Sequence, residues 1–232
     1  MGVETMNRLT DVEVPPTRNA SRFDLRTRGR LIALTAFLLT SCTAINAVTT
    51  SATVDLSALK TKTPAGTYIY DNPESSLIFK VRHFNFSQFV GRFDTVESTL
   101  QWDPANVAAS KLEVSVDVAS VDTHVSTLDT ELRDVFGAKQ CPKAHFVSTQ
   151  VTVTSKNTGE VAGDLTINGQ THPTTLHVIF NGGDINGLTN KPTLGFSATT
   201  VINRSEWGMG KWFPIVGNDV KLEIEAEFAK AS

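Results

Sequence analysis

Residues 161–180 read VAGDLTINGQTHPTTLHVIF. VAGDLTI places Val161, Gly163, Leu165 and Ile167 on one side, and such period-two alternation marks a strand with one buried face. Asn168-Gly169 follows. A two-residue type I′ turn needs φ > 0 at both central positions, which Asn and Gly accept, so Asn-Gly between two alternating runs predicts a β-hairpin. The return strand, TTLHVIF (174–180), turns Leu176, Val178 and Phe180 inward. Pro173 marks a strand beginning or a bulge, because proline has no N–H for a ladder.

The neighbouring segments extend the pattern. In KLEVSVDV (111–118), Leu112, Val114, Val116 and Val118 face one way, and Lys111, Glu113, Ser115 and Asp117 the other. Near the C-terminus Val220, Leu222, Ile224, Ala226 and Phe228 alternate with Lys221, Glu223, Glu225 and Glu227, whose carboxylates read as a solvated face. Further strands are expected at 67–71, 76–84, 91–102, 145–154 and 193–203. Turns are expected at 103–106, 155–159, 181–184 and 216–219. One helix is expected at 124–136, where Leu128, Leu132, Val135 and Phe136 share a face and Glu131 and Arg133 lie opposite. About eight strands, mostly antiparallel, with one short helix, predict an all-β barrel or sandwich. A barrel of eight strands holds one small ligand if its own side chains do not fill it.

The chain has 232 residues and a net charge of −3, too mild to argue for a nucleic-acid partner. Arg26, Arg28 and Arg30 precede LIALTAFLL (31–39), an apolar run too short to span a bilayer but suited to a secretory signal. LTSC (39–42) resembles the lipobox of bacterial lipoproteins, in which the cysteine is lipidated. Ordinary cleavage nearby, for example after Ala47, is the alternative. Residues 1–41 are therefore expected to be a signal peptide, 42–65 a flexible tether, and 66–228 one barrel domain. Without residues 1–41 the net charge is −5, so any membrane attachment is expected through a lipid on Cys42 rather than through charge. Cys141 is the one other cysteine, so the fold relies on its core rather than on a disulfide framework.

VRHFNFSQFVGRF (81–93) places His83 among four phenylalanines. Phe79, Val81 and His83 share one face of a strand, and Gly91 permits a sharp turn or close approach before Phe93 re-enters the core. No metal site is expected: His83, His124, His145, His172 and His177 form no His-x-His or HExxH, and His172 and His177 would face opposite ways on one strand. No G-x-S-x-G nucleophile turn occurs.

Six motifs in order carry a resemblance: YIYDNPESSLIFKVRHFNFSQFVGRF (68–93), TLQWDP (99–104), SVDVASVDT (115–123), GDLTINGQTHPTTL (163–176), FSATTVINRSEWGM (196–209) and VGNDVKLEIEAEF (216–228). Together they resemble the YceI-like family of bacterial lipocalin-like, polyisoprenoid-binding proteins. The resemblance implies an eight-stranded antiparallel lipocalin-like barrel with an apolar tunnel. It also implies export to the periplasm, an isoprenoid lipid or quinone-type ligand, no cofactor and no catalysis. On that footing Phe79, Val81, His83, Phe93, Val114, Val116, Phe136, Leu165, Leu176, Val178, Phe180, Phe196 and Ala198 are expected to line the interior. Asn203, Arg204 and Trp207 form either a mouth for a polar head group or a strand-end corner. The segment LDTELRDVFGAKQCP (128–142) departs from the family. It is about two residues short between Arg133 and Pro142, Gly137 stands for the usual acid, and Cys141 replaces an aromatic. Three functions follow from these readings: a carrier or store for an isoprenoid lipid, an enzyme on an apolar substrate with His83 or His145 as base, or a ligand-free structural envelope protein. Self-association as a homodimer is left open.

Overall fold

The computed structural model describes residues 63–232; the expected signal peptide, Cys42 and most of the tether lie outside the described residues. In chain order the strands are β1 (Gly66–Tyr70), β2 (Ser76–His83), β3 (Ser87–Phe93), β4 (Val96–Trp102), β5 (Lys111–Asp117) and β6 (Val121–Asp122). The helix α1 (Ser126–Val135) precedes β7 (Lys143–Val153), β8 (Thr158–Ile167), β9 (Gln170–Ile185), β10 (Pro192–Asn203) and β11 (Val216–Lys230). All pairings are antiparallel, in the order β1-β4-β5-β7-β8-β9-β10-β11, and β11 returns to β1 through Tyr68↔Lys230 and Tyr70↔Phe228. The ring is an eight-stranded closed barrel with one short helix, so the barrel alternative holds over the sandwich.

Eleven strands fill eight positions because three positions are broken. The early part of β11 pairs with β2, β2 with β3, and β3 with β6, continuing the lines of β1, β4 and β5. The expected unbroken strand at 91–102 is thus interrupted at Asp94-Thr95. Asn72 holds two breaks together: its Nδ2 donates to the Asp94 carbonyl at 2.8 Å, and its Oδ1 accepts from Val96 N–H at 2.9 Å. Pro73 lies in the 3₁₀ turn 72–74 that separates β1 from β2, where a missing N–H costs no ladder bond. At the third break Asp117 Oδ1 accepts from Ala119 N–H. Side-chain acceptors thus replace the lost ladder where the barrel wall bends.

Asn168 (φ 49°) and Gly169 (φ 73°) form the expected hairpin turn with φ > 0 at both positions. Two expected turns are instead irregularities inside long strands. Residues 181–184 lie within β9 beside a register shift at Gly195/Phe196, and 216–219 open β11 with a shift between Val216 and Val220. Bulges of this kind let a strand coil without ending. The last residues of the expected tether belong to the barrel: Thr63 is buried, and Tyr68 Oη donates to the Pro64 carbonyl at 2.8 Å.

Helix α1 packs Leu132, Val135 and the following Phe136 onto the barrel end. Gly137, at φ 67°, ends it: Ala138 N–H reaches the Arg133 carbonyl and Gly137 N–H the Asp134 carbonyl, the paired bonds of a Schellman cap. Glycine stands at 137 where the family resemblance implies an acid, and it suits this left-handed turn. Arg133 is not a free surface cation; its Nε donates to the Ala119 carbonyl at 2.9 Å. Buried Asp129 accepts from both Thr123 N–H and Thr123 Oγ1, tying the helix start to β6.

Candidate functional site

The inward positions do not fill the barrel. A cavity of about 280 Å³ runs through its middle. Its wall is built by alternation: Leu112, Val114 and Val116 from β5, Leu176, Val178 and Phe180 from β9, Phe196, Ala198 and Thr200 from β10, and Leu222, Ile224, Ala226 and Phe228 from β11. One end reaches the β7–β8 turn, where Val153, Ser155 and Asn157 line it. The aromatic wall is continuous. Trp102 stacks on Phe180 at 5.7 Å, Phe180 meets Phe196 at 5.2 Å, and Phe196 meets Phe228 at 6.0 Å.

A second cavity of about 150 Å³ lies under α1, against Leu132, Val135 and Phe136. Leu77, Val116, Leu165 and Leu222 line both cavities and form a waist between them. The two apolar chambers adjoin across these residues, and together they fall within the size range of small-molecule sites.

Val114, Leu176, Val178, Phe180, Phe196 and Ala198 line the larger chamber, and Phe79, Val81, Phe93 and Phe136 the smaller; Val116 and Leu165 line both. His83 lines neither. Its ring lies 4.6 Å from Phe84 and 6.2 Å from Phe89 at the end of β2. The row Phe79, Val81, His83 runs out of the barrel before the histidine, because β2 gives way to a turn through Phe84 and Asn85, both at positive φ. Phe86 at that turn is 90 % exposed. His145 faces outward and is exposed. Among the described residues no three His, Cys, Asp or Glu side chains converge as a metal site.

The motif INRSEWGM (202–209) forms a strand-end corner at Asn203, whereas Trp207 also borders a polar space beside Thr174 and Thr200. Asn203 Oδ1 accepts from Ser205 N–H and so caps the 3₁₀ turn 204–207. Trp207 is 1 % exposed, and its Nε1 donates to the Leu165 carbonyl. Arg204 does border the smaller chamber, but its donors are used: Nε binds the Gly217 carbonyl, Nη2 the Val216 carbonyl, and Nη1 those of Lys211 and Met209. Burial pulls the guanidinium pKa below its usual value. Arg204 is a clasp for the segment 209–217.

Gly163 and Ala198 are the small residues at inward positions, and a small side chain there can leave space in the interior. Only Ala198 does so. A Cβ on Gly163 would stand 2.6 Å from the Phe146 ring, so the missing side chain is where that ring lies. The alternation left several wall residues unassigned to the site: Trp102, Thr174, Thr200 and Ile224. Trp102 stood in the TLQWDP motif and Ile224 in the terminal alternating strand. Thr174 and Thr200 share the inward parity of Leu176 and Ala198, and their polarity alone sets them apart from the wall.

The barrel has known relatives. The YceI-like domain family matches residues 68–228. A UPF0312 protein of Staphylococcus epidermidis is 32 % identical over 168 residues, covering 69 % of this chain and 95 % of that protein. One from Vibrio cholerae is 32 % identical over 165 residues, covering 69 % and 87 %. Among solved structures, BcnA of Burkholderia cenocepacia superposes with a TM-score of 0.60 at 27 % identity, covering 68 % of this chain and 98 % of that one. A polyisoprenoid binding domain from Saccharophagus degradans superposes with a TM-score of 0.52 at 14 % identity, covering 72 % and 100 %, a likeness of fold.

Proposed function

Because the chain belongs to the YceI-like family, we propose that it is an exported, non-enzymatic lipid-binding protein. It holds a polyisoprenoid or isoprenoid-quinone-type molecule non-covalently, for carriage or storage in the cell envelope. The observation that carries this reading is the pair of adjoining chambers, whose walls are almost wholly apolar between the β7–β8 turn and α1. A branched hydrocarbon chain suits such a space, since each buried CH₂ contributes about 0.8 kcal/mol. Fifteen prenyl carbons give roughly 12 kcal/mol, which exceeds all but the upper end of an association cost on the order of 4–15 kcal/mol with few polar contacts. The polyisoprenoid binding domain of Saccharophagus degradans shares the fold and lends support.

The test is purification under native conditions followed by mass spectrometry of the extracted lipid. An isoprenoid lipid is expected. Recovery of none, together with failure of the delipidated protein to bind prenylated quinones, refutes the reading. Export with a lipid anchor has its own test: Cys42→Ala is expected to move the protein from the membrane fraction to the soluble periplasm, and unchanged localisation refutes the anchor.

A further inference from the structure

The barrel wall has an opened seam. The β9–β10 ladder runs from Pro192↔Ile185 to Thr199↔His177 and stops. Beyond that point β9 remains on β8 as far as Gln170, and β10 remains on β11 as far as Asn203. Residues 173–176 and 200–202 thus face one another without ladder pairs. Pro173, with no N–H, stands in the parted segment. A polar space of about 370 Å³ fills the seam, bordered by His177, Glu206, Trp207 and Lys221.

Thr174 and Thr200 line both this space and the larger apolar chamber, so they form the threshold between them. Thr174 is 8 % exposed, and its Oγ1 is buried with no hydrogen-bond partner among the described residues. A buried hydroxyl left unpaired is unfavourable and awaits a partner. The rim is poorly suited to an anion. Lys221 Nζ is already 2.9 Å from the Glu223 carboxylate, His177 Nδ1 is 3.5 Å from that of Glu160, and Glu206 adds a negative charge.

We propose that this seam seats the polar head of the ligand, with Thr174 as its hydrogen-bonding partner, and that the head is uncharged, a hydroxyl or a carbonyl. The inference rests on the lipid-binding reading above and specifies its head group. The prenyl chain then lies in the larger chamber with its head at the wall rather than at either end of the barrel.

The experiment titrates the delipidated full chain with three probes of one chain length: phytane (no head), phytol (a hydroxyl) and phytyl phosphate (an anion), read by tryptophan fluorescence. Phytol is expected to bind about fivefold or more tighter than phytane and than phytyl phosphate. Thr174→Val is expected to bring phytol to within about twofold of phytane while leaving phytane unchanged, and Thr174→Ser to keep the preference. Should the valine variant fail to fold, Thr174→Ala is read in the same way. Equal binding of phytol and phytane by the native chain, a phytol preference that survives Thr174→Val, or tightest binding of the phosphate overturns the seam while leaving lipid binding intact. Binding of none of the three overturns the lipid-binding reading and the seam with it.

Discussion

Ala198→Phe separates an open channel from a packed core. Ala198 sits in mid-β10 between Val178 and Ile224, its cross-strand partners, and all three line the larger chamber. A void of about 150 Å³ is known to hold benzene, so the added ring claims roughly half of the 280 Å³ chamber. A prenyl chain loses space for about six carbons, worth roughly 5 kcal/mol at 0.8 kcal/mol per carbon, which weakens its Kd by more than about a thousandfold. The delipidated protein is expected to behave in the opposite sense. The ring enters empty apolar space, so stability stays level or rises by about 1–2 kcal/mol. In a filled interior the same change would overpack the core and lower stability by about 1–3 kcal/mol. Urea unfolding of the delipidated variant and titration with a prenylated quinone read the two effects. Destabilisation beyond about 1 kcal/mol with unchanged quinone affinity refutes the channel.

Arg204→Met is expected to destabilise the fold by about 3–5 kcal/mol by stranding four carbonyls that the guanidinium now binds; Arg204→Lys, with a single ammonium, rescues only part of the loss in urea titrations. Gly137→Ala is expected to cost about 1–2 kcal/mol, because 137 holds a left-handed φ and a Cβ there would press on Asn168 Oδ1; thermal unfolding measures it. Glu227 lies near Glu74 and Asp71, and burial first, then those charges, raises its carboxyl pKa above the ordinary 4.5. Its folded-state pKa exceeds the unfolded one, so its contribution is greatest below pH 4.5 and falls as pH rises. Glu227→Gln is therefore expected to melt higher than the native chain at pH 7, the gap closing in acid. Glu223 is the reverse case: hydrogen bonds from Lys80 and then Lys221 lower its pKa, so its contribution is present above pH 4.5 and lost as pH falls through the depressed value. Glu223→Gln is expected to flatten that acid-side loss in melting curves.

The hairpin 161–180 was legible because every determinant is local: alternation sets the faces, and Asn168-Gly169 sets the turn. The breaks at 71–75 and 94–95 were not, because Asn72 holds Asp94 and Val96 across 22 and 24 residues. The same distance problem hid the role of Arg204. Its acceptors, Met209 to Gly217, lie five to thirteen residues onward in a segment without periodicity. His83 shared the parity of Phe79 and Val81, yet parity gives a face and not a depth along the barrel.

By itself the sequence determined which side chains point inward, since strand alternation is a property of the backbone, and where the chain turns, since Asn and Gly tolerate positive φ. It also carried the family resemblance. Only the tertiary structure decided that the inward side chains leave a channel. A void is the difference between the space a closed ring of strands encloses and the volume its side chains fill, and neither quantity belongs to any one segment. The seam at Thr174 has the same origin. It exists because β9 stays with β8 while β10 stays with β11, and such a parting is settled by the whole ring.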